Sequence, residues 1–461
     1  MSMFYEIYCG SPPRKAAAPL TGFRYLMRYI ADLHIHSKYS RACSRNLTFS
    51  NLAAWGSAKG IDILATADFT HPKWLAEIEE KLEPAEEGLF RIKAKYAAED
   101  GDSAYEAAPR ALAGRPVRFF LSTEVACIYK QGGRTRRLHL VLCCPDLAAV
   151  KKLNAKLEAL ECNLRSDGRP ILGLSAKELL KILLEADPRS LMIPAHAWTP
   201  WFSVFGSQSG FDSLEECFEE LTPEIHAVET GLSSDPPMNW RLSKLDGVML
   251  VSNSDAHGFK NLGREANVFD LSAPSYRAIA DIFRQRDRKK FLHTIEFFPE
   301  EGKYHVDGHR ACDFFCEPAE TRKRKGLCPK CGKELTRGVL GRVEVLADRP
   351  DGVRPASAVD FRRIVPLEEV VASVLDKGKG TKAVIALWRK LVSEIGPEFD
   401  VLLDADLKTI ERVGGARVAE AMQRMRRGEL VIRPGYDGVF GEVRIFEDQK
   451  TGSNQQSRLL I

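Results

Sequence analysis

The chain has 461 residues, of which 44% are hydrophobic and 28% charged, so it is long enough for two or three domains with a large core. The formal net charge of +4 neither requires nor excludes nucleic acid, and any basic surface must be local. No run of about 18 apolar residues occurs, so the sequence predicts no membrane span.

The first 26 residues lack the apolar centre of a secretory signal. Met27 stands directly before a strand-like run, so we expect it to be the natural start and residues 1–26 to be an irregular extension; an ordered arm is the alternative. Four of the eleven cysteines lie between residues 312 and 331 and the others are scattered. This spacing indicates a reducing, cytoplasmic setting and one thiolate metal site rather than a disulfide framework.

Seven short apolar runs in the first part of the chain predict parallel strands that are buried on both faces. The predicted strands are 28–34, 61–67, 117–122, 137–143, 191–195, 225–229 and 248–252. Helical patterns lie between them, such as 147–161 and 174–186, and the latter opens with the capping-box spacing of Ser175 and Glu178. Seven strand-then-helix units predict a closed α/β barrel over residues 27–296.

Potential metal ligands recur where the predicted strands end, which is where such barrels carry their reactive groups. His34 and His36 lie on one face of the first strand, about 7 Å apart, and can grip one ion. Further histidines and acids lie at or near the other strands: Asp68, His71, Glu124, His139, His196, Glu229, Asp255 and His257. The pattern predicts a multi-metal centre suited to hydrolysis of phosphate esters, with Glu229 either supporting a ligand or simply part of the barrel.

An aromatic loop follows His196 and contains five aromatic residues in 16 positions: Trp198, Trp201, Phe202, Phe205 and Phe211. Five aromatic residues directly after a metal ligand can form a wall on which a flat group stacks. We therefore predict a stacking wall from Trp198, Trp201 and Phe205, with Met238 and Trp240 on the other side. A hydrophobic plug over the barrel mouth is the alternative interpretation.

Residues 297–340 predict a small zinc ribbon. Cys328-Pro-Lys-Cys331-Gly has the spacing of a zinc knuckle, and the second ligand pair is either Cys312 with Cys316 or His309 with Cys312. Four cysteines are favoured because thiolates predominate in structural sites, and the zinc would fold a segment with little core. Arg322 and Lys323 lie between the pairs and could grip DNA phosphates or form a solvated loop.

Residues 341–446 predict a mainly helical C-terminal domain. Gly414 and Gly415 join two helices, and with Arg417 the turn resembles a helix-hairpin-helix that offers backbone N–H groups to DNA phosphates; an ordinary helical hairpin is the alternative. Residues 447–461 predict a flexible tail. Its end, Gln456–Ile461, resembles the peptide that binds the bacterial sliding clamp.

Together the barrel clusters resemble the PHP family (polymerase and histidinol phosphatase) over about residues 28 to 270. The resemblance rests on His34-x-His36, Thr66-Ala67-Asp68, Glu124, His139, Pro194-Ala195-His196 and Asp255-x-His257. Members bind up to three divalent ions in a distorted β/α barrel, which implies a distorted (β/α)7 PHP barrel in this chain. Imidazoles and carboxylates suit zinc or manganese, and magnesium is a further alternative.

The resemblance also implies a role for each ligand. His34, His36, Glu124 and Asp255 would hold one ion, and Glu124 would bridge to a second ion held by His139 and His196. Asp68, His71 and His257 would hold a third ion, although Phe69 stands where the family commonly has a histidine. Arg41 is placed to contact the phosphate, and a structural salt bridge is the alternative.

Longer strings resemble one branch of this family, endonuclease Q, from about Met27 to Phe446. They include Asp68-Phe69-Thr70-His71-Pro72, His196-Ala197-Trp198-Thr199-Pro200-Trp201, Glu229–Asp235, Gly308-His309-Arg310, Leu346–Pro350 and Pro434-Gly435-Tyr436-Asp437-Gly438. The resemblance implies a DNA repair endonuclease, associated with the nucleoid, that cuts 5′ of hypoxanthine, uracil, xanthine or an abasic site. Metal-activated water would leave a 3′-hydroxyl and a 5′-phosphate.

Two other functions compete with this interpretation. A PHP phosphatase for a small phosphorylated metabolite would not need the ribbon, the C-terminal domain or the tail. A non-catalytic DNA-binding module with a relic barrel would not need a nearly complete ligand set. We therefore favour the endonuclease.

Overall fold

The computed structural model describes residues 27–97 and 116–447. Residues 1–26 and the tail with Gln456–Ile461 lie outside the described residues, so the predictions made for them are not addressed by the fold. In the barrel region the described strands are β1 (Arg28–Asp32), β2 (Ile63–Ala65), β3 (Leu82–Pro84), β4 (Leu89–Ile92), β5 (Arg118–Phe120), β6 (Ser122–Gln131), β7 (Arg134–Cys143), β8 (Ile171–Leu172), β9 (Leu191–Pro194), β10 (Ala227–Glu229), β11 (Met249–Val251), β12 (Ala266–Asp270) and β13 (Phe291–Glu296).

The strands connect into a closed circuit. β1 pairs in parallel with β2, and β2 with β5; β6 follows β5 directly and pairs with β7, which pairs with β9. The backbone N–H of Ala197 donates to the carbonyl of Glu229 and links β9 to β10, which pairs in parallel with β11. A bridge between Ile35 and Ala256 returns the circuit to β1. Each of the seven predicted strands overlaps a strand of this circuit.

One strand of the circuit runs against the prediction. β7 is antiparallel to both β6 and β9, so the expectation of seven parallel strand-helix units is wrong here. β6 and β7 are joined by Gly132 and Gly133, which have φ of 60° and 72°. Such a two-residue turn makes a hairpin, whereas a parallel crossover needs about a dozen residues. The glycine pair was therefore the signal that the prediction overlooked.

The helices of this region surround the circuit, and all of them except α2 begin at a side-chain cap. They are α1 (Phe49–Lys59), α2 (Pro72–Lys81), α3 (Leu147–Ala159), α4 (Ala176–Ala186), α5 (Leu214–Phe218), α6 (Pro236–Trp240) and α7 (Tyr276–Gln285). The predicted helices 147–161 and 174–186 correspond to α3 and α4. The Ser175 side chain accepts a hydrogen bond from the N–H of Glu178, which is the N-cap predicted from the sequence.

Both faces of β1 are buried, as its continuous apolar pattern predicts. Ile30 belongs to the larger hydrophobic cluster, whereas Tyr29 and Ala31 belong to a second cluster that includes Phe269 and Phe283. Successive side chains of a strand point to opposite faces, so the strand is packed on each side. β1 is therefore packed against a hydrophobic cluster on each face. This packing makes it a rigid support for His34 and His36, which follow it.

The ribbon region and the C-terminal region follow. Their elements are β14 (Asp307–His309), β15 (Phe314–Cys316), α8 (Pro318–Lys323), α9 (Val339–Leu346), β16 (Asp360–Arg363), α10 (Leu367–Leu375), α11 (Lys382–Glu394), α12 (Leu407–Gly414), α13 (Ala416–Arg427), β17 (Val431–Arg433) and β18 (Glu442–Arg444). A single π-helical turn, Asp400–Asp404, precedes α12.

The C-terminal region is joined to the barrel. β16 pairs in parallel with β13 and so extends the barrel sheet. A buried ion pair between Lys59 and Glu398 measures 3.1 Å, and the rings of Trp55 and Trp388 lie 5.3 Å apart. Removing one partner of a buried pair leaves an uncompensated charge, so this contact specifies how the two regions dock. None of the helices in the described ranges combines the length and the hydropathy of a transmembrane helix.

Candidate metal centre

Three of the predicted ligands lie on short turns that follow strands, whereas Glu124 and His139 lie within β6 and β7. Asp68, His196 and Asp255 all have positive φ, at 37°, 29° and 47°. Non-glycine residues rarely adopt this conformation, and it concentrates at functional sites because surrounding structure must hold it. Gly231 contributes at His196, because a Cβ at position 231 would overlap the His196 Cβ.

Two groups of ligand atoms meet at the end of the barrel, and we call them together the barrel group. In the first, His34, His36, Glu124 and Asp255 each offer one atom, all within 4.8 Å of one another. His36 Nε2 lies 3.0 Å from Asp255 Oδ1 and 3.1 Å from Glu124 Oε2. The structure thus brings together the residues predicted for the first ion.

The second group shares Glu124 with the first. Its Oε1 lies 2.8 Å from His139 Nδ1 and 3.1 Å from His196 Nε2. His139 lies in the middle of β7 rather than at its C-terminal end. Because β7 runs in the reverse direction, its C-terminal end is on the far side of the barrel, and a ligand must come from further back along the strand. Glu124 thus has the bridging position that the resemblance implied.

Glu229 supports the barrel group through hydrogen bonds. It accepts a hydrogen bond from His34 Nδ1 at 3.0 Å, from Asn253 Nδ2 at 2.8 Å and from the His196 N–H at 2.9 Å. Such a carboxylate orients the imidazole and raises its basicity as a ligand. Of the two interpretations of Glu229, the supporting role fits these contacts.

The charges within the barrel group depend on one another. Burial opposes protonation of His34, but the carboxylates of Glu229 and Glu124 raise its pKa well above the ordinary 6.5. Burial likewise opposes the charge of Glu124, but His139, Arg169 and His34 hold its pKa well below 4.5. Glu124 therefore stays ionised, and His34 binds a proton that a divalent cation would displace, whereas burial lowers the pKa of His139 to about 4 and keeps it neutral.

The residues present fit a divalent cation. The ring atom His34 Nε2 is buried and makes no hydrogen bond, although it lies 3.6 Å from Glu124 Oε2. A buried polar atom without a partner is costly, and a metal ion would satisfy it. Imidazoles with carboxylates are the donors that zinc and manganese accept.

The predicted third group does not come together. Asp68 Oδ2 accepts hydrogen bonds from the Ser37 N–H and the Ser40 hydroxyl, both at 2.8 Å. The His71 ring stacks on Tyr39 at 4.4 Å, and the His257 ring lies 4.3 Å from that of His36. Within residues 27–97 and 116–447, Asp68, His71 and His257 therefore form no shared ligand group. Asp68 Oδ1 and His71 Nδ1 are nevertheless buried without a hydrogen-bond partner, so the third ion stays a prediction.

An arginine that the sequence did not single out reaches the barrel group. Arg169 Nη1 lies 2.9 Å from Glu124 Oε2, whereas the predicted Arg41 is 85% exposed and pairs with Asp167 at 3.1 Å. Gly168 packs so closely against Asp68 and Ser40 that no Cβ would fit. This approach brings the loop that carries Arg169 over the site. A glycine beside an arginine, with no predicted strand before it, is too weak a sequence signal to reveal it.

A second group of ligands lies in the ribbon, and we call it the ribbon group. His309, Cys312, Cys328 and Cys331 each offer an atom within 4.8 Å of the others. Desolvation would raise the pKa of the Cys328 thiol, but the N–H groups of Lys330 and Cys331 lower it to about 7. A thiolate at neutral pH is what zinc binds.

Cys316 lies outside the ribbon group, and its Sγ lies 3.3 Å from the Thr321 hydroxyl. The preference for four cysteines is therefore wrong, and the alternative with His309 fits. In the pairing of β14 with β15, Cys316 lies opposite Asp307, two residues from His309. The two candidate ligands, His309 and Cys316, are therefore held at different places along the hairpin.

The predicted stacking wall is mostly core. Trp198, Phe205 and Met238 are buried, and the Trp198 indole N–H donates to Asn239 Oδ1 at 2.7 Å. These three residues cannot stack on a base, so the alternative of a hydrophobic plug is the correct one for them. Trp240 is half-buried and has the Arg354 guanidinium 5.3 Å from its ring centroid. Trp201, in contrast, is 44% exposed.

Trp201 lines a cavity of about 820 Å³ between the barrel, the ribbon region and the C-terminal region. Its wall includes Thr199, Asn261, Arg264, Tyr304 and Phe440. Thr199 Oγ1 lies 3.2 Å from His196 Nδ1, so the cavity adjoins the barrel group. A space of this size accommodates a ligand as large as a nucleotide.

The residues predicted to contact the DNA backbone are at the surface. Arg322 pairs with Glu344 at 2.5 Å, and Lys323 is exposed. Gly415, with φ of 90°, forms the turn between α12 and α13, next to Gly414. The Arg417 guanidinium lies 3.3 Å from the ring centroid of Phe446. The helical hairpin predicted from the two glycines is present.

Two comparisons match only part of the chain. Residues 366–429 match the family model described as the MJ0043 C-terminal domain. The protein MJ0043 of Methanocaldococcus jannaschii is 33% identical over 261 residues, which are 55% of this chain and 32% of that protein. The chain thus spans about a third of the length of this relative.

Two solved structures match nearly the whole chain. The crystal structure of the lesion-specific endonuclease PfuEndoQ from Pyrococcus furiosus is 30% identical, with a TM-score of 0.77 over 93% of this chain and 98% of that one. Endonuclease Q in complex with a 27-mer duplex substrate, with an abasic lesion at its active site, is 31% identical, with a TM-score of 0.76 over 93% and 100%. Both matches are at least 30% identical and cover nearly the whole of each chain. The chain therefore belongs to the endonuclease Q family.

Proposed function

We propose that this protein is a metal-dependent DNA repair endonuclease that hydrolyses the phosphodiester bond 5′ of a damaged nucleotide. The observation that carries the proposal is the barrel group, in which six predicted ligands from five segments of the chain meet and Glu124 is shared by both halves. Membership of the endonuclease Q family supports DNA as the substrate, since one relative was solved with a duplex that carries an abasic lesion. Deaminated bases (hypoxanthine, uracil and xanthine) are the further substrates we propose.

The barrel group would hold two divalent ions: one with His34, His36, Glu124 and Asp255, and one with Glu124, His139 and His196. Bound ions of this kind lower the pKa of water, so that a nucleophilic hydroxide is available near neutral pH. They also neutralise charge on phosphate oxygens. The chain's own contribution is orientation. Glu229 holds His34 Nδ1, so that Nε2 faces the group.

Arg169 is the residue we assign to the phosphate, in place of Arg41. Its guanidinium lies 2.9 Å from the bridging carboxylate, so it is within reach of an anion bound at the same ions. A planar guanidinium can donate two parallel hydrogen bonds to a phosphate, and it keeps its charge at every relevant pH. A fixed donor of this kind stabilises the charge that develops on the oxygens in the transition state.

The damaged base would enter the cavity beside Thr199. Enzymes that act at a single base in a duplex rotate that nucleotide out of the stack into a pocket. Trp201 and Tyr304 offer ring faces there, and their centroids lie 5.6 Å apart in an edge-to-face arrangement. Asn261 and Arg264 offer hydrogen-bond donors to the base edge.

The remaining regions would bind DNA outside the cleavage site. We propose that the ribbon group holds one structural zinc, and that Lys323 and the Gly414–Gly415 turn contact phosphates. The boundaries 27–296, 297–340 and 341–446 remain our proposal for these functional regions. A clamp-binding role for Gln456–Ile461 is also a proposal.

The test is cleavage of a 5′-labelled duplex that carries one deoxyinosine, one deoxyuridine or one abasic site. The protein is supplied with manganese, magnesium or zinc, and the cut is mapped against a sequencing ladder. We expect one cut on the 5′ side of the lesion and none in the undamaged duplex. Equal cutting of undamaged DNA, or turnover of a small phosphomonoester without DNA cleavage, would refute the proposal.

A further inference from the structure

Phe440 is the most exposed large hydrophobic residue among the residues that the structure describes, at 69%. Water contact with a phenylalanine ring is unfavourable, and the chain buries many of its other phenylalanines. Phe440 also lines the cavity that adjoins the barrel group. An apolar group presented at the mouth of a binding cavity indicates a contact surface.

The turn that carries Phe440, between β17 and β18, is anchored to the main body. The N–H of Gly435 donates to the Glu300 carbonyl at 2.8 Å, and that of Gly438 to the Lys303 carbonyl at 2.9 Å. Gly441 packs against Glu300 with no room for a Cβ. The ring is therefore held outward on a supported turn, where a loose loop would let it collapse onto apolar neighbours.

A continuous series of contacts connects Phe440 to the barrel group. Lys303 Nζ lies 4.4 Å from the Phe440 ring centroid, and its chain neighbour Tyr304 contacts Trp201. The Thr199 hydroxyl donates to the Trp201 carbonyl at 2.9 Å and lies 3.2 Å from His196. The exposed ring, the cavity and the metal ligands thus form one surface.

We propose that Phe440 inserts into the base stack of duplex DNA at the place that the damaged nucleotide vacates. This inference rests on the proposed function. Removing a nucleotide from the stack leaves a gap, and apolar wedges such as phenylalanine fill gaps of this kind in distorted DNA. A ring stacks on any base, so the wedge is indifferent to the opposite base. Lys303 then lies beside the ring, where its charge can meet a neighbouring phosphate.

The test compares one lesion in two settings. Wild-type protein and Phe440→Ala are assayed on a strand with one abasic site, which has no base to occupy the cavity that Phe440 lines, first annealed to its complement and then single-stranded. We expect Phe440→Ala to lose about tenfold on the duplex, the factor that corresponds to one lost stacking contact, and to change less than about twofold on the single strand. Phe440→Tyr, which keeps the ring, should restore duplex cutting.

Val345→Ala is the matched control, because Val345 is 55% exposed and does not line the cavity. Unchanged duplex cutting by Phe440→Ala, or an equal loss on both substrates, would overturn the wedge. An inactive Phe440→Tyr with a wild-type circular dichroism spectrum would overturn it as well. Wild-type protein that cuts neither substrate would instead refute the proposed function.

Discussion

The barrel group and the ribbon group both gather four or more potential metal ligands, yet they differ in donor chemistry and surroundings. The barrel group combines imidazoles with ionised carboxylates, is largely buried, and adjoins a cavity of about 820 Å³. The ribbon group has three thiols and one imidazole, and Cys331 is exposed. Closed thiolate sites fold small segments, whereas carboxylate-rich sites beside a cavity leave positions for substrate. The type of ligand atom and the access of substrate, more than the number of ligands, distinguish a catalytic metal site from a structural one.

The largest effect is expected for Glu124, which both halves of the barrel group share. Glu124→Gln keeps the shape of the side chain but removes the charge that bridges the group. We expect DNA cleavage to fall below detection while binding of the damaged duplex persists, because the proposed contacts of Lys323, the Gly414–Gly415 turn and the cavity do not involve Glu124. Metal analysis should show loss of the barrel ions and retention of the ribbon zinc. Loss of both metals would mean that the two groups do not behave independently.

The next effect is expected for Arg169. Arg169→Ala should lower kcat about 100-fold, the usual consequence of removing one donor that stabilises transition-state charge. Arg41→Ala is the control, since Arg41 is exposed and paired with Asp167, and it should change kcat less than about twofold. A steady-state comparison of both variants measures the difference. Similar values for the two arginines would contradict the assignment.

Glu229 tests how the barrel group is oriented. Glu229→Gln weakens the hydrogen bond to His34 Nδ1 and should reduce metal affinity about tenfold, as outer partners of metal ligands do. Excess metal in the assay should restore most of the activity, because the ligands themselves are intact. Competition with a chromophoric chelator measures the affinity. A loss of activity that saturating metal does not relieve would argue against an orienting role.

The ribbon group offers a matched pair of substitutions. His309→Ala should lose the structural zinc and lower the thermal stability, whereas Cys316→Ser should keep both, since Cys316 contacts Thr321 rather than the group. Zinc per chain, measured by mass spectrometry, separates the two variants. Zinc loss in Cys316→Ser with retention in His309→Ala would restore the four-cysteine assignment.

The smallest effect is a change in the pH dependence of stability. Burial raises the pKa of Glu296 from 4.5 to about 8, so the folded state binds a proton that the unfolded state releases. Its contribution to stability is therefore complete below pH 4.5 and is lost as the pH rises to about 8. Glu296→Gln should flatten the fall of Tm between these values. An unchanged slope in thermal melts would show that Glu296 is ionised when folded.

Much of the site could be predicted from the sequence because its ligands follow apolar strands. His34 and His36 share a face by strand geometry alone, and the strands 225–229 and 248–252 end beside Glu229 and before Asp255. The family resemblance assigned six of these residues to two ions, and the structure brings the same six together. Arg169 was not predicted from the sequence because it lies on a loop with no predicted strand before it.

The sequence by itself determined seven of the strands, the N-cap of α4 and the candidate ligand residues, since these depend on residues close together in the chain. Tertiary structure alone decided that Trp198 is core while Trp201 faces the cavity, and that His309 rather than Cys316 completes the ribbon group. Each of these outcomes depends on which distant side chains occupy the neighbouring space. Packing of that kind has no local signature, so it became visible only when the chain was folded.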